Sequence, residues 1–144
     1  MAVESSATTV WEGDLFEGAG RTTPASGAFP EVAVSWGTRT ERPSGRTSPE
    51  ELIAAAHASC FCMAFSKQLA DAGSPPQRLE ATATLGFVPG EGITFSRIAV
   101  RGHVEGIDQA AFADAARAAD EGCPVSGALR GNVDITVEAT LANS

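Results

Sequence analysis

The chain has 144 residues, which suits a single modest domain spanning 1–144 that buries roughly two-thirds of its unfolded surface. With 43% hydrophobic and 19% charged residues the composition excludes intrinsic disorder, and a formal net charge of −8 argues against a nucleic-acid partner, whose phosphates it would repel. No apolar run reaches membrane-spanning length, and the start, MAVESSATTVWEG, has no basic segment followed by an apolar one, so a cytoplasmic setting is expected.

No internal repeat or low-complexity tract is present. Residues 8–41 combine glycines with short apolar alternations, Thr9-Val10-Trp11 and Val32-Ala33-Val34-Ser35-Trp36, and predict a meander of short strands. A turn-rich linker, Arg42-Pro43-Ser44-Gly45-Arg46-Thr47, then leads into the strongest helix signal, from about Ser48 to Ala72. Ser48 is a natural N-cap, Pro49 suits the first helical position and Glu51 completes a Ser-x-x-Glu capping box. Gly73 stops the helix and Pro75-Pro76 forbids its resumption. Its middle, Leu52 to Phe65, is apolar around nearly the whole circumference, so the helix is expected at the centre of the domain or at a dimer interface.

Two strand-like runs follow, Leu79–Val88 and Ile93–Val104, joined by the turn Pro89-Gly90-Glu91-Gly92. Asp108 is placed to cap a second, Ala-rich helix ending near Glu121-Gly122, and a short helical piece covers about Pro124 to Leu129. The last strand, Asn132–Leu141, puts Val133, Ile135, Val137, Ala139 and Leu141 on one face. The order predicts an α+β fold with antiparallel sheets packed around a long central helix and a second helix.

Three cysteines in a reducing compartment are catalytic, metal-binding or inert rather than structural disulfides. An anonymous cysteine on an apolar helix, such as Cys60, is most often a small hydrophobe. Cys62 lies about 200° further around the helix, faces another side and reads as packing. Cys123 sits in Gly122-Cys123-Pro124, at a helix start whose orphan N–H groups favour a thiolate; an ordinary turn cysteine is the equal alternative. His57 and Cys60, at i and i+3, could share a metal, but only His103 and Cys123 remain as distant partners and no CxxC or HxxxH pair exists. No metal or resident cofactor is therefore expected, and His57 reads as a core histidine bonded to a backbone carbonyl. Glu50 either complements the helix dipole or orients a cation, for which Arg39 and Arg46 are candidates and Arg21 lies further off.

The run Thr47-Ser48-Pro49-Glu50-Glu51-Leu52-Ile53-Ala54-Ala55-Ala56-His57-Ala58-Ser59-Cys60-Phe61 resembles the signature of the osmotically inducible protein C (OsmC) family, whose sister group is the organic hydroperoxide resistance (Ohr) proteins. Glu121-Gly122-Cys123-Pro124-Val125-Ser126 is similar to the family's second cysteine motif, and Trp11-Glu12-Gly13-Asp14 agrees in position. The resemblance implies an intertwined homodimer and a thiol peroxidase that reduces organic hydroperoxides. It implies Cys60 as the peroxidatic cysteine, Cys123 as the resolving one, and Glu50 with Arg39 as their companions. Arg21 lies near where the Ohr branch places its arginine and is the second choice. His57 resembles the OsmC branch; Cys62 departs from the pattern, where serine is commoner. A lipoyl-type external dithiol is the reductant that the resemblance suggests. The rival readings are a small-molecule-binding or structural α+β dimer with inert cysteines, and a metal-binding module.

Peroxide reduction needs a thiolate, and burial among Ala and Phe raises a thiol above its usual value near 8.5. The dipole of its own helix fades long before Cys60, so a guanidinium is the simplest remedy. Glu50 and Cys60 are ten positions apart, about 15 Å along one helix axis. A guanidinium held by Glu50 is therefore expected to serve Cys60 across a dimer of antiparallel helices. The aromatic residues Phe61, Phe65, Phe87 and Phe95 are expected to favour organic over hydrogen peroxide.

Overall fold

The computed structural model describes residues 1–41 and 45–143; Arg42, Pro43 and Ser44 of the expected linker lie outside the described residues. The chain divides into two compact units, Met1–Leu52 and Ile53–Ser144.

The first unit carries the expected meander. Strands β1 (Ala7–Glu12), β2 (Ala19–Pro24) and β3 (Val32–Val34) form one antiparallel sheet in the order β1-β2-β3. β3 is shorter than the apolar run suggested, because Ser35 and Trp36 leave the sheet to start α1 (Gly37–Thr40), a single turn. Local hydroxyl bonding fixes that turn: Thr38 Oγ1 donates to the Ser35 carbonyl at 2.6 Å and accepts from the Ser35 amide at 3.3 Å. After the linker, Thr47 N–H donates to Ala33 O at 3.0 Å, tying the approach to α2 (Pro49–Asp71) onto β3.

The start of α2 follows the predicted chemistry with one change. Ser48 Oγ accepts from Glu51 N–H at 3.1 Å, as an N-cap should. The Glu51 carboxylate, however, takes the Thr47 hydroxyl at 2.7 Å rather than the backbone of Ser48, so the box is half formed.

The second unit holds the core. Along α2, His57, Phe61, Phe65 and Leu69 recur every four residues and are buried, the last three against Ile98, Val100, Val104, Phe112, Ala116 and Ala119. Phe65 meets Phe61 edge-on at 5.6 Å and Phe112 at 4.9 Å between centroids. Another face of α2 is open in the single chain: Ala55, Ala56, Ser59 and Met63 are exposed, Met63 by 72%. Burial on most sides is thus not achieved by one copy.

β4 (Arg78–Val88) and β5 (Gly92–His103) pair antiparallel through a turn in which Glu91 N–H donates to Val88 O at 2.9 Å. α3 (Gln109–Gly122) is capped by Asp108, whose carboxylate accepts from Ala111 N–H at 2.8 Å, and α4 (Pro124–Leu129) starts one residue after α3 ends. β6 (Asp134–Leu141) then pairs with β5 in parallel, not antiparallel, so this sheet is mixed, in the order β4-β5-β6. The reason lies in the connection: α3 and α4 carry the chain back to the start of β5, and a crossover of that kind delivers a parallel strand. The alternation in β6 holds, with Ile135, Val137, Ala139 and Leu141 half-buried and the intervening residues exposed. Gly102 in β5 lies under Phe112, where a Cβ would come within 2.6 Å of the ring.

Candidate active site

α2 points the Cys60 side chain at the junction between α3 and α4. There it lies beside two groups that act on its titration, the Cys123 thiol and the Val125 backbone N–H. Cys123 is the residue between the two helices and is buried, while Cys60 is half-buried and reachable from outside. Proline at the first position of α4 has no N–H, so the first amide the short helix can offer is that of Val125.

Burial pushes the Cys60 thiol above its ordinary value; the Val125 amide pulls it down, and the neighbouring Cys123 adds to the upward shift. The Val125 amide escaped the sequence reading because a backbone donor leaves no residue-type signal.

One turn before Cys60, His57 is fully buried. Its Nδ1 lies 2.7 Å from Ser96 Oγ on β5 and its Nε2 lies 2.7 Å from Ser126 Oγ on α4. Two hydroxyls, rather than the expected backbone carbonyl, satisfy the ring. Ser126 donates its own proton to Asp120 Oδ1 at 2.7 Å, so it can only accept from His57; Nε2 carries the hydrogen and Nδ1 accepts from Ser96. Burial holds His57 below its ordinary value, partly offset by the Asp120 carboxylate, and the ring is neutral. With both nitrogens engaged, His57 has no lone pair left for a metal. Among the described residues no group of three or more His, Cys, Asp or Glu is arranged to hold one.

The first unit contains the Arg–Glu pair. Arg39, on α1, grips Glu50 through both arms of its fork, Nε to Oε1 at 3.2 Å and Nη2 to Oε2 at 2.8 Å. The Glu50 side chain is 9% exposed and that of Arg39 30%. The guanidinium also lies 5.9 Å from the Trp36 ring. The other candidates are engaged differently: Arg21 pairs with Glu31 at 3.0 Å and Glu12 at 3.8 Å on the strand surface, and Arg46 reaches Ser35 Oγ at 3.4 Å. Glu50 therefore selects Arg39.

Arg39 stands in the wall of a cleft of about 380 Å³ whose other walls include Trp11, Leu15, Val34, Trp36 and Leu52. Its lining is apolar apart from the guanidinium and a few hydroxyls. The phenylalanines expected to colour substrate choice are elsewhere: Phe61 and Phe65 are core, and Phe95 packs under Arg97, 4.7 Å from its guanidinium carbon. Tryptophans, not phenylalanines, line the cleft. Cys62, as its helical angle required, faces away from Cys60; it lies at the Ala81 amide and is also shifted upward by burial.

A thiol pair carried by a helix and a crossover, on an α+β scaffold, defines a class of dithiol-bearing proteins, and comparison with known proteins identifies the family. The OsmC-like protein family matches residues 42–138. The chain is 36% identical over 138 residues to peroxiredoxin OsmC of Escherichia coli, covering 94% of this chain and 96% of that protein. It is also 36% identical over 100 residues to an organic hydroperoxide resistance protein of Xanthomonas axonopodis, covering 67% of each. The fold matches an OsmC organic hydroperoxide resistance protein from Legionella pneumophila with a TM-score of 0.71 at 24% identity, covering 97% of this chain and 99% of that one. It matches OhrB of Bacillus subtilis with a TM-score of 0.66 at 24% identity, covering 94% and 98%. The chain belongs to the OsmC-like family.

Proposed function

We propose that this protein is a cysteine-based peroxidase, one domain spanning 1–144, that reduces organic hydroperoxides to alcohols. The observation that carries the reading is the placement of the Cys60 thiol beside the Cys123 thiol and the Val125 amide. The names of the relatives from Escherichia coli and Xanthomonas axonopodis support the same chemistry.

In the first step the Cys60 thiolate attacks the terminal oxygen of the hydroperoxide. The O–O bond breaks, the sulfur is oxidised by two electrons to a sulfenic acid, and the alkoxide leaves and takes up a proton as the alcohol. Cys123 then forms the disulfide with Cys60, and an external dithiol, of the lipoyl type that the family resemblance suggests, reduces it by exchange. No resident cofactor takes part.

A thiol shifted upward by burial needs a cation, and the Arg39 fork, pre-aligned by Glu50, is the one assigned here. It stabilises both the thiolate and the developing alkoxide. It acts across a homodimer in which two copies of α2 run antiparallel through Ala55, Ala56, Ser59 and Met63, bringing Arg39 to the partner subunit's Cys60. The tryptophan-lined cleft beside Arg39 suits the apolar tail of an organic hydroperoxide better than the water-like hydrogen peroxide. The setting is the cytoplasm, where dithiol reductants are available; no helix among the described residues is long and apolar enough to cross a membrane.

The test is a single-turnover oxidation. One equivalent of cumene hydroperoxide should give a Cys60–Cys123 disulfide by mass spectrometry in the native protein. Cys60→Ser should give no peroxide-dependent oxidation, and Cys123→Ser one turnover ending in a trapped sulfenic or overoxidised Cys60. Full activity in Cys60→Ser, or thiols that stay reduced in the native protein, sinks the reading.

A further inference from the structure

The steps above leave one buried feature unused, the polar chain Asp120–Ser126–His57–Ser96. Its three links are each 2.7 Å, and Ser126, His57 and Ser96 are all 0% exposed. Burying a polar network gains little stability over apolar side chains of similar volume, so its value is expected to lie in geometry. The geometry is specific. Ser126 is the third residue of α4, next to Val125 and three after Cys123, and its hydroxyl is held at both ends, by Asp120 on α3 and by His57 on α2. α4 has only six residues and no side-chain cap at Cys123, so little within the helix fixes its start. Its far end is tied separately, Arg130 donating to the Asp120 carbonyl at 3.0 Å and to its carboxylate at 3.3 Å. α2 thus meets the start of α4 at two successive levels: the Cys60 sulfur against Cys123 and Val125, and one turn earlier the His57 ring against Ser126.

We propose, resting on the peroxidase reading above, that His57 is a positioning residue for disulfide formation: through Ser126 it holds the start of α4 so that the Cys123 thiol stays at Cys60. In that step the Cys123 sulfur attacks the Cys60 sulfur of the sulfenic acid. The S–S bond forms, the S–O bond breaks, and the departing hydroxide leaves as water with the Cys123 proton. The sulfenic acid is itself the oxidant, so no further reagent is needed. His57 touches neither reacting atom.

His57→Leu keeps the volume and removes the ring nitrogens; Ser126→Ala removes the hydroxyl; Asp120→Asn keeps an oxygen that accepts the Ser126 proton. In single-turnover mixing with cumene hydroperoxide, dimedone trapping follows the sulfenic acid and acid quench follows the disulfide. A displacement of about 1 Å between reacting groups costs up to ~100-fold. Disulfide formation should accordingly slow by roughly 10- to 100-fold in His57→Leu and Ser126→Ala. Sulfenic acid then accumulates, the double variant is no slower than the slower single variant, and Asp120→Asn retains most of the native rate. Native-rate disulfide formation in both Ser126→Ala and His57→Leu overturns the proposal. So does equal slowing of sulfenic acid formation and decay, which marks a general loss of structure. Should both of those variants fail to fold, Asp120→Ala, at a partly exposed site, carries the same comparison against Asp120→Asn. If the native protein forms no disulfide at all, the peroxidase reading has failed and this inference with it; a normal native reaction with unaffected variants removes this inference alone.

Discussion

Replacing Arg39 with alanine separates what the Arg39–Glu50 pair does for stability from what it does for reactivity. The Glu50 side chain is 9% exposed and its two oxygens are both taken by the Arg39 fork, at 3.2 and 2.8 Å. Breaking a fully buried ion pair by deleting one partner costs about 3–5 kcal/mol. Arg39 is 30% exposed, so water reaches the pair from one side, and about 2–3 kcal/mol is the expected loss in Arg39→Ala. Activity with cumene hydroperoxide should fall by roughly 10²- to 10³-fold, the usual effect of losing a donor aimed at developing negative charge. Adding Glu50→Gln to that variant removes the stranded carboxylate and should recover about 1–2 kcal/mol. It should recover no activity, because in the proposed mechanism Glu50 acts by orienting Arg39. The assay pairs urea denaturation with steady-state peroxide reduction using dihydrolipoamide as donor. A double variant that is less stable than Arg39→Ala, or that loses a further large factor in rate, refutes the assignment of Glu50 as the partner of Arg39.

Met63→Glu puts a charge on the exposed face of α2 and should convert a dimer to monomer by analytical ultracentrifugation, with loss of peroxidase activity; a fully active monomer contradicts the cross-subunit placement of Arg39. Stability should also depend on acid through His57. Because burial lowers its folded value, the unfolded chain binds a proton near pH 6.5 that the folded chain refuses. The stabilisation is complete above about pH 6.5 and is lost as pH falls through the folded value. The urea midpoint of the native protein should drop as the pH falls below about 6.5, and drop less in His57→Leu; parallel curves for the two would show that His57 is not the group responsible.

Elements with strong local punctuation were legible in the residues. Ser48 and Pro49 announce α2 and Gly73 ends it; Asp108 announces α3; Pro89 to Gly92 marks the hairpin; the two cysteine motifs carry the resemblance to the OsmC family. What stayed hidden depends on distance. The parallel pairing of β6 with β5 is a property of the crossover, not of either strand, since alternation reads the same in both directions. α1 rests on the Thr38 hydroxyl bonding the backbone of Ser35 and is too short to show a period. The hydroxyls that bond His57 lie 39 and 69 positions away, so nothing near it could name them. That Glu50 pairs with Arg39, while Arg21 pairs with Glu31, needed these residues to be placed in space. The cleft of Trp11 and Trp36 likewise draws on residues far apart in the chain, whereas of the phenylalanines that drew attention in sequence Phe61 and Phe65 are core and Phe95 packs against Arg97.

A sulfenic acid stands at a fork: it condenses with a thiol, or meets a second peroxide and becomes a sulfinic acid that no dithiol can restore. Groups held in reactive alignment behave as though present at about 10⁵ M or more, against millimolar peroxide at most. In the proposed cycle Cys123 stands beside Cys60 in the reduced chain, so condensation is expected to outrun the second oxidation by a wide margin. Such a catalyst is hard to poison with its own substrate. On the proposed reading it would keep working through a flood of oxidant, not register the flood by failing.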